Sequence, residues 1–91
     1  MTASKETYET TPCVFVVDDD ETTCRGFARL IRLSGYEVET YGSAHDFLAT
    51  AQYSEVCPSC LVLDIQLPDR SGLDLQSELN GILPIILITQ E

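Results

Sequence analysis

Three stretches of this chain are almost wholly apolar: CVFVV at 13–17, CLVLDI at 60–65 and PIILIT at 84–89. Such runs, apolar without alternation, suit strands of a parallel sheet that is covered by helices on both faces. A fourth stretch, YEVETY at 36–41, alternates and puts Glu37 and Glu39 on one side. That pattern predicts an edge strand with one wet face.

Helical patterns fill the gaps. Residues 22–34 place Phe27, Leu30 and Ile31 on one stripe, with Arg25, Arg29 and Arg32 roughly opposite, and Gly35 offers a stop. Residues 43–52 open with Ser43 and Asp46 at capping-box-like spacing and carry Phe47, Leu48 and Ala51. Residues 71–80 repeat the device with Ser71 and Asp74, place Leu75 and Leu79 on one face, and stop at Gly81. The order β-α-β-α-β-α-β, without repeat or linker, predicts an open α/β sheet with right-handed crossovers. Placing the alternating strand at an edge and strands 1 and 3 inside gives the order 2-1-3-4.

With 91 residues there is room for one small domain. Residues 1–12 read as a polar tail ending at Pro12, and residues 13–91 as the domain. The tail lacks a basic start followed by an apolar stretch, so it is not a secretory signal. No apolar run is long enough to span a bilayer. The net charge is −10, and Lys5 is the only lysine. That balance argues against direct contact with nucleic acid or an anionic membrane, and favours cations or a basic partner surface. Without a secretion signal, Cys13, Cys24, Cys57 and Cys60 are expected to be reduced thiols in the cytosol. Cys13 and Cys24 read as small core residues.

The first strand ends in four acids, Asp18, Asp19, Asp20 and Glu21. In open α/β sheets, sites form beyond the carboxyl ends of the strands, where the strand order reverses. Here that point lies between strands 1 and 3. Asp64 ends strand 3 there, and Thr89 ends strand 4 beside it. Clustered carboxylates either share protons or hold a hard divalent cation through oxygen. Several acids without a histidine nearby favour the cation, and Mg²⁺ fits best because it takes one or two carboxylates and keeps positions for water and phosphate. A carboxylate beside such a cation can also attack phosphorus and form an aspartyl phosphate.

The pieces VFVVDDDE, LIRLSGYEVETYGSAHDFLA, LVLDIQLPDRSGLDL and PIILIT together resemble the receiver domain of bacterial two-component response regulators, in particular the FixJ-like group. The resemblance covers residues 13 to 89 and implies a flavodoxin-like (CheY-like) parallel sheet. It implies a signalling phosphoacceptor, at most a weak autophosphatase rather than an enzyme, that takes its phosphoryl group from a sensor histidine kinase with Mg²⁺. By position, Asp64 matches the phosphoacceptor, Asp19 the direct metal ligand and Asp18 the acid acting through metal-bound water. The main-chain carbonyl of Gln66 would complete the metal site, and Thr89 matches the switch hydroxyl. Pro68 and Gly72 shape the loop after the acceptor, while Asp20 lines the entry without an assigned ligand role.

Receivers of this family continue with a helix, a fifth strand ending in an essential lysine, and a last helix. This sequence stops at Glu91, so the resemblance implies a receiver lacking the fifth strand and its flanking helices, with impaired phosphotransfer. Strand 4 would then have an apolar, unpaired edge, which predicts self-association through it.

Other readings of the same residues are open. The acids could form a solvated loop, although Asp64 falls independently at the same end of the neighbouring strand. Thr89 could be a plain strand-end residue. The arginine stripe is a wet helix face or a docking surface for the kinase. His45 falls on the exposed side of the second helix. The CPSC pair at 57–60 resembles a redox motif, but it precedes a strand instead of opening a helix, where the thiol would be activated. Asp18, Asp20 and Thr22 fit the D-x-D-x-T of haloacid-dehalogenase-like phosphatases, which would make Asp18 the nucleophile. A fragment that only binds a kinase as a decoy is a further alternative.

Overall fold

A computed structural model describes residues 12–51 and 59–89. The polar segment up to Thr11, with Lys5, lies outside the described residues, as do Cys57 and Pro58 of the CPSC pair. The four strands are β1 (Cys13–Val17), β2 (Glu37–Tyr41), β3 (Ser59–Asp64) and β4 (Ile85–Ile88). They form one parallel sheet in the order β2-β1-β3-β4. Three helices alternate with them: α1 (Glu21–Leu33), α2 (Ala44–Thr50) and α3 (Gly72–Leu79). The strand order matches the one that the hydropathy pattern predicts. β2 is the wet edge, with Val38 buried between exposed Glu37 and Glu39.

The helix boundaries follow from their caps. Asp20 caps α1, its carboxylate accepting from the Thr22 amide at 3.0 Å and the Thr23 hydroxyl at 3.0 Å. The helix ends in a Schellman turn: the Gly35 amide donates to the Arg32 carbonyl and the Tyr36 amide to the Ile31 carbonyl, with Gly35 at φ +96°. The Ser43 hydroxyl accepts from the Asp46 amide, as the capping-box spacing predicts. On α3 the Ser71 hydroxyl takes the Leu73 amide instead, and the Asp74 amide goes to the Ser71 carbonyl.

Strand alternation sends side chains to two cores. Phe15, Val17, Leu61 and Leu63 meet Ala44 and Phe47 of α2 and Leu75 and Leu79 of α3 on one face. The Phe47 ring stands edge-on to Phe15 at 5.6 Å and to Tyr41 at 5.4 Å. At seven residues, α2 is too short to persist on local propensity. Complete burial of Phe47, which contributes about 2–3 kcal/mol, holds it down. On the other face Val16, Val38 and Val62 meet Cys24 and Ala28 of α1.

α1 differs from its expected stripe at one position. Leu30 is 65% exposed. The buried line runs through Cys24 and Ala28, and Leu30 sits roughly 120° around the helix from Cys24. Cys24 is buried as expected, whereas Cys13 and Cys60 are half-buried. No helix among the described residues is long and apolar enough to cross a membrane.

Candidate functional site

The register brings the acids together. Val17 of β1 pairs with Leu63 of β3, so the next residues, Asp18 and Asp64, leave adjacent strands side by side. Strands in a sheet lie about 4.8 Å apart. Asp18, Asp19 and Asp64 each offer a carboxylate oxygen, all within 4.8 Å of one another. Asp18 is 1% exposed and Asp64 4% exposed, while Asp19 faces solvent. Two ionised carboxylates at that separation repel by roughly 3 kcal/mol at an effective dielectric of about 20. Clustering them is favourable when a divalent cation offsets that repulsion.

The main chain holds these side chains in place. The Asp20 amide donates to Asp18 Oδ1 at 2.9 Å, and the Gln66 amide to Asp64 Oδ1 at 3.1 Å. The Asp18 amide donates to the Tyr41 carbonyl at 3.0 Å, which fixes the exit of β1 against β2. The Cys24 thiol reaches the Asp18 carbonyl at 3.2 Å. Burial, and then the negative charge of Asp18, push that thiol above its ordinary pKa. Cys24 is therefore a neutral donor beneath the acids, a role that its place in an apolar pattern did not reveal.

The loop after β3 is closed at its base. The Gly72 amide donates to the Ile65 carbonyl at 2.7 Å, and Gln66 bridges to Ser71. A Cβ at position 72 would collide with the Asp64 carbonyl oxygen and lie 2.8 Å from Ile65 Cα. Glycine is required there by close approach of backbone. Gln66 itself is exposed. Thr89 is exposed and follows Ile88, the register partner of Asp64. Its hydroxyl therefore sits on a residue at the site's end of the sheet.

Two further expectations meet the geometry. His45 is on the surface, 3.7 Å from Asp46. Arg25 pairs with Glu21 at 3.2 Å on an open helix face, where such a pair contributes little. A phosphatase reading through Asp18, Asp20 and Thr22 finds no support, because Asp20 is consumed in capping α1 through the Thr22 amide. An oxygen-only donor set of three carboxylates fits a hard divalent cation.

Comparison with known proteins identifies the family of the chain. The family model described as the response regulator receiver domain matches residues 14–91. The chain is 47% identical over 79 residues to nodulation protein W of Bradyrhizobium diazoefficiens, covering 84% of this chain and 34% of that protein. It is 35% identical over 79 residues to the transcriptional regulatory protein FixJ of Rhizobium meliloti, covering 84% of this chain and 38% of that one. Among solved structures, the response regulator StyR superposes with a TM-score of 0.79 at 42% identity, covering 90% of this chain and 42% of StyR.

The chain belongs to the response regulator receiver domain family, and its sheet is the flavodoxin-like, CheY-like fold of that family. It spans about a third of the length of the curated relatives it matches. These comparisons do not support the phosphatase and decoy alternatives. Receivers are signalling modules, not enzymes in the ordinary sense.

Proposed function

We propose that Asp64 is the phosphoacceptor of this receiver and that a sensor histidine kinase is the donor. The observation that carries the reading is the burial of Asp64 at 4% exposure beside two further carboxylates, all within 4.8 Å. A carboxylate oxygen of Asp64 attacks the phosphorus of a phosphohistidine. The P–N bond breaks, its electron pair returns to the imidazole, and an acyl phosphate forms on Asp64.

Asp18, Asp19, Asp64 and the Gln66 carbonyl would hold Mg²⁺, which when bound supplies positive charge against the incoming phosphoryl group. Asp19 would be the direct ligand and Asp18 the acid acting through metal-bound water, neither of them the nucleophile. The Gln66 amide, already on Asp64 Oδ1, keeps that carboxylate oriented. The Thr89 hydroxyl is the group that turns toward the phosphoryl oxygens. Arg29 and Arg32, exposed on α1, offer the kinase a basic surface on an otherwise acidic molecule.

Phosphotransfer from a histidine kinase tests the reading. The expected label is labile to hydroxylamine, needs Mg²⁺, and disappears in Asp64→Asn, because an amide is no nucleophile toward phosphorus. Label that persists in Asp64→Asn would refute the assignment.

The face of the sheet beneath α1 supports a second reading, self-association. Ile86 is 55% exposed there, and among the described residues the outer edge of β4 pairs with no strand.

A further inference from the structure

The amides that open a helix lack partners inside it. In α2 these belong to Ala44, His45 and Asp46. Ser43, the local cap, accepts from Asp46. The other two are taken from far along the chain. Asp69 Oδ1 accepts from the Ala44 amide at 3.3 Å and Asp69 Oδ2 from the His45 amide at 2.8 Å. Both oxygens of one carboxylate thus fasten the loop after β3 to a helix that lies 24 to 25 residues earlier.

α2 is a firm anchor, because Ala44 and Phe47 are fully buried. The same loop is closed at its base by the Gly72–Ile65 and Gln66–Asp64 bonds. Residues 66 to 69 therefore run between two fixed points, and the Gln66 carbonyl rides on that span. We propose that Asp69 is a positioning residue for the metal centre: by tying the tip of the β3–α3 loop to α2, it sets where the Gln66 carbonyl stands relative to Asp64. This inference rests on the metal-binding reading above.

The alternative is that Asp69 only stabilises a short helix. Ser43→Ala separates the two, since it removes a cap from the same helix without touching the loop. In the full chain, Mg²⁺ titration followed by amide shifts should show about a tenfold loss of affinity for Asp69→Ala, the scale typical of groups that orient a metal ligand. Asp69→Asn, which keeps one carbonyl oxygen as acceptor, should fall between, and carries the test if the alanine variant does not fold. Ser43→Ala should bind Mg²⁺ as the unaltered chain does. Hydrogen exchange of the Gln66 and Gly72 amides should quicken in Asp69→Ala and not in Ser43→Ala.

Equal Mg²⁺ affinity in Asp69→Ala and the unaltered chain would overturn the proposal. So would an equal loss in Ser43→Ala. If the unaltered chain binds no Mg²⁺, the metal reading itself fails. The fastening role of Asp69 is then decided by amide exchange alone, and unchanged exchange at Gln66 and Gly72 overturns that as well.

Discussion

The two faces of the sheet are built from the same strands and end up unequal. On the face beneath α2 and α3, Phe15, Leu61, Leu63, Phe47 and Leu75 are all at or below 1% exposure. On the face beneath α1, Leu30 is 65%, Tyr36 47% and Ile86 55% exposed. They rim an apolar groove of about 370 Å³ floored by Val14, Val62 and Ile88. The strands offer comparable apolar residues to both sides, Phe15 and Val17 one way, Val14 and Val16 the other. The difference therefore comes from the cover. Among the described residues, two helices close one face, and one helix centred on small Cys24 and Ala28 lies over the other. The acids sit where both faces meet the carboxyl ends of β1 and β3.

The comparison breaks most clearly in the cores. Phe47→Ala should destabilise by about 3–5 kcal/mol, the usual cost of truncating a buried phenylalanine. Leu30→Ala should change stability by no more than about 0.5 kcal/mol. Chemical denaturation of both variants checks this, and a Leu30→Ala cost near that of Phe47→Ala would mean that Leu30 is covered in solution.

A smaller effect on stability, within about 0.5 kcal/mol, is expected for Ile86→Lys. Its readout is association. If copies of the chain meet through β4 and the groove, light scattering should show the unaltered chain associating and Ile86→Lys shifting toward monomer. A monodisperse monomer before and after the change would end the self-association reading.

The smallest effect is at the rim of the closed face, where Tyr41 packs on Phe15 and Phe47. Burial, with a 2.8 Å hydrogen bond to Glu39, pushes its phenol up to about 12. The folded state therefore favours the neutral phenol relative to the unfolded chain, whose tyrosines titrate near 10. The contribution of Tyr41 to stability is complete below about pH 10 and is lost as pH rises through about 12. Ultraviolet titration of the unaltered chain minus Tyr41→Phe should show this late step, and a midpoint at the ordinary phenol value would show the rim to be open.

Much of this was readable from local pattern. Unbroken apolar runs marked the buried strands, Glu37 and Glu39 marked the edge, and those constraints yielded the strand order. The meeting of Asp18, Asp19 and Asp64 then followed, because a parallel register places residues after paired strand ends side by side. The cap at Ser43 and the stop at Gly35 were legible for the same reason: each depends on atoms within a few residues.

What could not be read in this way depends on contacts between segments distant along the chain. Asp69 looks like any polar loop residue until α2 is set beside it, since its partners lie 24 and 25 residues upstream. The inequality of the two faces is of the same kind. Hydropathy along a strand reports that both sides are apolar, but which helix lies over which side, and how bulky its inward residues are, is a property of the packed layers. Side-chain periodicity is a local signal, whereas cover and hydrogen-bond partnership arise when elements far apart in the chain come to share one volume.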